Sequence, residues 1–206
     1  EKYLSGTAFG GAGEKIVLEE GLLGPEISIL AISDGEKAVA LSPAQDFKRL
    51  HNNDLGPNTG GMGAYSPVPI ATPTLVEDVL NNFIQPTIAA LRQRGIDYRG
   101  VLYAGLMITE DGPKLLEYNV RFGDPEAQVV LPRFESSLTE LLIEASRGEI
   151  QTPPRFTNDA MVTVVCATEG YPVSPRVGDR ITGMEEASSS KGIEKVYVAG
   201  ISLDDE

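Results

Sequence analysis

Glu117-Tyr118-Asn119-Val120-Arg121-Phe122-Gly123-Asp124-Pro125-Glu126 is the stretch on which the reading of this chain turns. It closes two segments of strand character: Val101 to Thr109 is apolar almost throughout, Asp111-Gly112 turns, and Lys114 to Asn119 returns. On a strand, Glu117, Asn119 and Arg121 are spaced by two and project from one face. A carboxylate, an amide oxygen and a guanidinium make poor packing at the end of an otherwise apolar strand. They suit a Mg2+–phosphate site, because Mg2+ takes oxygen ligands and keeps waters and substrate phosphates in its shell, while Arg pairs bidentately with phosphate. Asp124-Pro125 also stands where the next helical segment starts, and capping alone would explain that Asp.

Working outward, the pattern is that of an α/β (α+β) chain. Upstream, Glu26 to Ser33 alternates isoleucines, and Asp34-Gly35 signals a hairpin before Ala38 to Leu41. Lys15 to Glu20 has strand length and β-branched content. Thr72 and Pro73 open the clearest helix, an N-cap followed by proline at the first helical position. Its stripe runs from Leu75 through Val79, Phe83 and Ile88 to Leu91 and reads as core, with Pro86 kinking or splitting it and Gly95 near its end. Residues 125–131 and 138–147 read as helices. Residues 42–72 show no periodic element, which in a compact domain points to function or disorder.

Composition narrows the class. Of 206 residues, 41% are hydrophobic and 23% charged, enough apolar content for a buried core. The formal charge of −13 repels polyanions, so nucleic acid and anionic membranes are poor partners. No apolar run approaches the roughly 18 residues of a membrane span, and no secretory stretch opens the sequence. One cysteine, Cys166, and one histidine, His51, leave no internal disulfide and almost no Cys/His zinc or nucleophile–histidine chemistry. A cytoplasmic location is the expectation. Cys166 reads as a small buried apolar residue, and His51 as a loop residue.

Two more regions carry candidate chemistry. Gly56-Pro57-Asn58-Thr59-Gly60-Gly61-Met62-Gly63 has little side-chain bulk, so its N–H groups could approach an anion as a nest. It fails as a dinucleotide fingerprint, as does Gly11-Ala12-Gly13, for want of the third glycine and the strand–helix setting. Just before it, Lys48 and Arg49 follow Asp46; adjacent side chains alternate sides in extended chain, so only one need face a given phosphate.

Taken in order, five motifs resemble the glycinamide ribonucleotide synthetase family of the ATP-grasp superfamily. They are Glu19-Glu20-Gly21-Leu22 with Glu26, Pro43 to Arg49, Gly56 to Tyr65, Leu102-Tyr103-Ala104-Gly105, and Glu117 to Glu126. They cover residues 9–147 densely, with weaker similarity to about residue 200. The resemblance implies ATP-driven ligation of glycine to 5-phosphoribosylamine through a glycyl phosphate, with Mg2+ or Mn2+ as the metal. By position, Glu19, Glu20, Gly21 and Leu22 would form the hinge at the adenine, with Glu26 at the ribose. Arg49 and Asn58, with Lys48 beside them, would contact nucleotide. Glu117 and Asn119 would hold the metal, Arg121 and Asp124 would serve phosphates and glycine, and the glycine loop would border the phosphoribosylamine.

Two residues depart from the family pattern. Gly21 replaces a bulky apolar hinge residue, and Phe47 stands where histidine is common, so no chemistry is assigned there. The resemblance further implies a partial chain: the end of the lid at 1–18, the ATP-grasp core at 19–150, and the beginning of a C-terminal domain at 151–206, set off by Pro153-Pro154. In that last part, Met161 to Ala167 and Lys195 to Ala199 read as strands. The missing segments of the same chain would be its partners. Another ATP-grasp carboxylate–amine ligase with a different acceptor fits the same residues, and the 206-residue piece alone could be a non-catalytic nucleotide binder.

Overall fold

The strand Glu26–Asp34 (β1) is buried along nearly its whole length, which requires cover on both faces. A computed structural model, describing residues 11, 12 and 15–203, shows how that cover arises. β1 pairs antiparallel with Ala38–Ala40 (β2) across the Asp34-Gly35 turn and with Arg99–Thr109 (β7) along its full length. Gly112–Asn119 (β8) pairs antiparallel with β7, giving the sheet order β2-β1-β7-β8.

Because strand side chains alternate, β1 feeds two cores. Ile27, Ile29 and Ala31 pack with Val79, Ile84 and Ile88 on one face. Leu30 and Ile32 pack with Val129, Val130, Leu141 and Ala145 on the other. The first face is covered by Pro73–Val79 (α1) and Gln85–Gln93 (α2), joined by a wider π turn at Leu80–Ile84. Thr72 caps α1 as expected, its hydroxyl accepting from the Leu75 N–H at 3.2 Å. The π turn ends two residues before Pro86 and lets the apolar stripe continue past a residue that lacks an N–H. The second face is covered by Ala127–Val130 (α3), a 3-10 turn at Leu131–Arg133, and Leu138–Arg147 (α4). Asp34 ties α4 to the β1–β2 turn: its carboxylate accepts from the N–H groups of Glu36, Lys37 and Ile150. Burial opposes its ionisation, but these donors hold its pKa below the ordinary value.

Residues 42–72 are ordered rather than irregular. They form Gln45–Asp46 (β3), Arg49–His51 (β4), Leu55–Asn58 (β5) and Gly63–Ser66 (β6). Each is too short to show a period of two, which is why the sequence pattern does not reveal them. β3, β6 and Met161–Val164 (β9) make a three-stranded sheet, and β4–β5 a hairpin that contains His51. Compact units divide after Val165, and β9 belongs to the first of them.

Lys15 to Glu20 forms no strand; these residues are exposed, Val17 and Leu18 at 83% and 90%. In the second unit, Lys195 to Ala199 forms no strand either, and Met184–Ser189 (α5) is a short helix that the sequence pattern does not suggest. Cys166 is exposed, not buried. None of the described residues from 166 to 203 is buried, so this unit has no apolar core of its own among them. No helix of the described residues is long and apolar enough to cross a membrane.

Arg133 fastens the segment leading into β9 to Ser42 and to Ser66 of β6. Only 4% exposed, it donates to Ser66 Oγ at 2.7 Å, to Ser42 Oγ, to Thr157 O at 2.6 Å and to Asp159 O at 2.8 Å. Burial lowers its pKa, and the Asp159 charge opposes that shift without cancelling it. Arg133→Ala leaves these acceptors unpaired, at a cost of about 1–3 kcal/mol for each group that water cannot reach. A loss of about 2–4 kcal/mol in urea-denaturation stability is the expected outcome; unchanged stability would refute the clamp.

Candidate functional site

The site is built at the end of β8. A bulge between Gly105 and Leu106 shifts the β7–β8 register and sets Glu117 opposite Gly105. A Cβ on Gly105 would lie 3.4 Å from Glu117 Cγ, so the glycine gives that side chain room. Asn119 Nδ2 donates to Glu117 Oε1 at 3.0 Å, which keeps the two on one side of the strand. The chain then leaves the sheet with Arg121 and Asp124. Asp124 does not cap α3: its Oδ1 accepts from Gln128 Nε2 at 2.7 Å, and the residue at the cap position is Glu126. These groups meet in a cavity of about 50 Å³ lined by Asp46, Lys48, Gly60, Tyr103, Glu117, Asn119, Arg121, Asp124 and Glu126. That is far below the roughly 300–1,000 Å³ that encloses a drug-sized ligand. It is the polar end of a site, large enough for an ion or a small functional group.

A buried carboxylate fixes the arm that carries Arg121 and Asp124. Glu126, 3% exposed, accepts from Tyr103 OH at 2.9 Å and from Ser28 Oγ at 3.1 Å, and those two hydroxyls lie 2.7 Å apart. Burial, then the Glu126 charge, pushes the Tyr103 hydroxyl far above its ordinary pKa, so it stays a donor. A Cβ on Gly123 would come within 2.3 Å of Glu126 Oε2; only glycine lets the arm fold over this carboxylate.

Across the cavity stand Asp46 and Lys48. Lys48 Nζ lies 2.7 Å from Glu26 Oε2 and 3.6 Å from Asp46 Oδ2. Burial acts to lower the Lys48 pKa, but the hydrogen bond to Glu26 and the charges of Asp46 and Glu126 hold it above its ordinary value. Burial pushes the Asp46 carboxyl up to about 6; Lys48 opposes that shift and Glu126 adds to it. Asp46 Oδ1 is buried without a hydrogen-bond partner.

The other candidates lie apart from this group. Arg49 turns away from Lys48, as alternation requires, and donates to Gly56 O at 2.8 Å. It pairs with Asn58 across the β4–β5 hairpin, and both are exposed. Glu19, Glu20 and Gly21 are exposed and Leu22 half-buried, none of them lining the cavity. Glu26 enters only through Lys48.

The glycine loop does not act as a nest of unused donors. Thr59 N donates to Lys48 O, Gly61 N to Thr59 Oγ1 and Met62 N to Phe47 O. Its glycines permit close approach instead: a Cβ on Gly61 would sit 2.4 Å from Pro125 Cδ, and one on Gly63 2.6 Å from Thr163 O. The loop therefore seats directly on the Asp124-Pro125 arm.

The cavity sets four carboxylates against two cations, an excess of −2 when all are ionised. Among the described residues no three His, Cys, Asp or Glu side chains form an all-protein metal cage. Both facts fit Mg2+, which binds through one or two side-chain oxygens and completes its shell with water and phosphate. Glu117 and Asn119 both line the cavity and carry side-chain oxygens of this kind.

Residues 1–127 match the family model of the phosphoribosylglycinamide synthetase ATP-grasp (A) domain. The chain belongs to this family. A phosphoribosylamine–glycine ligase of Streptomyces coelicolor is 50% identical over 184 residues, 88% of this chain and 44% of that protein. The trifunctional purine biosynthetic protein adenosine-3 of Bos taurus is 48% identical over 206 residues, 99% of this chain and 20% of that one. The crystal structure of the Thermotoga maritima phosphoribosylamine–glycine ligase superposes with a TM-score of 0.72 at 35% identity, covering 85% of this chain and 45% of that one. The chain thus spans less than half the length of these relatives, and its sheet and helices are part of an ATP-grasp fold.

Sequence reasoning underrated three residues of the lining. Asp46 was visible only as a member of a charged run. Tyr103 and Glu126 lay inside quoted motifs without a role, because their shared partner, Ser28, is remote in sequence. Asp46 generates a measurable signature. Its pKa in the fold, about 6, lies above the ordinary 3.8. The fold therefore holds the proton more tightly, and stability falls as pH rises from about 4 to about 6. Asp46→Asn should remove that fall and raise the melting temperature at pH 7; a variant that follows the wild-type pH profile would contradict the buried, charged state of Asp46.

Proposed function

We propose that this chain carries the catalytic core of a phosphoribosylamine–glycine ligase. The observation that carries the reading is the convergence of Glu117, Asn119, Arg121 and Lys48 on one cavity, in a chain of this family. ATP and a divalent metal, Mg2+ or Mn2+, are the implied ligands. In this reading the glycine carboxylate takes the γ-phosphoryl group of ATP, releasing ADP and leaving glycyl phosphate. The amine of 5-phosphoribosylamine then displaces phosphate to give glycinamide ribonucleotide. Such chemistry depends on positioning and charge neutralisation. It agrees with a cavity lining that contains no histidine, cysteine or serine among the described residues.

Each group has a role in this scheme. Glu117 and Asn119 hold the metal, which when bound neutralises phosphate charge. Arg121 and Lys48 offset the remaining negative charge of the transferring group, and Asp124 orients glycine. Glu19 to Leu22 and Glu26 serve the adenine and ribose, while Arg49 and Asn58, outside the cavity, serve the nucleotide from the hinge side. Residues 1–18 would end the lid, 19–150 form the ATP-grasp core, and 151–206 begin the C-terminal domain, with other segments of the full protein supplying the rest of the acceptor site.

In the full-length protein, ADP release should depend on both glycine and 5-phosphoribosylamine, and its absence would sink the reading. Glu117→Ala should lower kcat by at least about 100-fold, the scale for removing a group that stabilises transferring charge. A near-wild-type rate in that variant would remove the metal assignment.

A further inference from the structure

Gln128 stands on α3, four residues after Asp124, in an arrangement that packing alone does not explain. Its Nε2 donates to Asp124 Oδ1 at 2.7 Å. Its Oε1 is buried and has no hydrogen-bond partner. The direction of the amide follows from its neighbour, because an ionised carboxylate only accepts and must meet the NH2 end. A buried carbonyl oxygen without a donor costs stability, and an apolar side chain of the same length would avoid that cost. One end of the amide is thus destabilising while the other makes a single contact, to Asp124.

That contact acts on a group with freedom to move. Asp124 is exposed and lines the cavity with Glu117, Asn119 and Arg121. The backbone on either side of it is fixed, by Glu126 through Ser28 and Tyr103 and by the close approach of Gly61 to Pro125. The side chain still has several rotamers open to it. Glu117, Glu126 and Asp46 share the cavity, and their charge drives a fourth carboxylate toward water. A donor that grips one oxygen opposes this drift and sets the direction of the carboxylate. Val129 and Val130, next in the chain, are fully buried, so the donor is carried on backbone that the core holds still.

We infer that Gln128 is a positioning residue for Asp124, its carboxamide fixing that carboxylate in the direction in which it meets the amino-acid substrate. The inference rests on the ligase reading above, in which Asp124 orients glycine. It adds a residue that stands outside the cavity lining and acts only through its neighbour. The arrangement separates stability from activity. Removing the amide relieves the unpaired oxygen, and Asp124, being exposed, turns to water; folding is unharmed while the glycine step loses its alignment.

The test is Gln128→Met in the full-length protein, which keeps the length of the side chain and removes both polar ends; Gln128→Leu serves should the first variant fail to fold. The melting temperature should equal that of the wild type or exceed it. The kcat/KM for glycine should fall roughly 10- to 100-fold, the range for removing the hydrogen-bond partner of a site group. The KM for ATP should stay within about twofold, and the loss should not exceed that of Asp124→Ala, the residue through which Gln128 acts. A glycine kcat/KM within about threefold of wild type would overturn the assignment. A lowered melting temperature with a parallel rise in the KM for ATP would also overturn it, by showing a purely structural role. So would a loss larger than that of Asp124→Ala. Wild-type protein without glycine-dependent ADP release would overturn the ligase reading and this inference together; the other failures strike Gln128 alone.

Discussion

The buried carboxylate of Glu126, held by the hydroxyls of Ser28 on β1 and Tyr103 on β7, is the interaction on which the site depends. Losing either hydroxyl would leave a buried charge short of a donor, so the three groups stand or fall together. The triad joins the two central strands of the main sheet to the arm that follows β8. That arm carries Arg121 and Asp124, and the glycine loop seats on it through Gly61 and Pro125. The hydrophobic strands thus dictate, through one acid, where the functional polar groups meet.

The same acid shapes the electrostatics. Glu126 adds negative potential to a cavity that already contains Glu117, Asp124 and Asp46, and it contributes to the raised pKa of Asp46. A cavity with excess carboxylate repels free polyphosphate. In the proposed reading it becomes receptive when the phosphate arrives with its own divalent cation, with Arg121 and Lys48 as the fixed positive charges of the lining. The overall −13 therefore bears on extended polyanions such as nucleic acid, and says little about a small anion bound with a metal.

Much of this was legible in the residue pattern, for identifiable reasons. Long elements declare themselves: β1 spaces its isoleucines, β7 is apolar almost throughout, α1 opens on Thr72-Pro73, and α4 ends at Gly148 with φ 84°. The spacing of Glu117 and Asn119 likewise announces a shared face, while Arg121 lies beyond the end of the strand and still reaches the same cavity. Strands of two to four residues carry too little period to be read, which hid β3 to β6 in an apparently irregular stretch. Apolar content misled where tertiary partners decide the outcome: Ile16, Val17 and Leu18 look like a strand yet are exposed, and Cys166 looks buried yet is not. The unpaired oxygen of Asp46 and the Ser28–Tyr103–Glu126 contact are products of long-range packing that no local motif encodes.

The central claim is that the end of β8 is a metal–phosphate site organised by Glu117 and Asn119. Electron paramagnetic resonance of Mn2+, titrated into the full-length protein with ATP present, tests it most directly. A protein-bound Mn2+ signal that requires ATP, and whose affinity falls at least about tenfold in Glu117→Gln, is the predicted result. Equal Mn2+ affinity in the wild type and Glu117→Gln would contradict it.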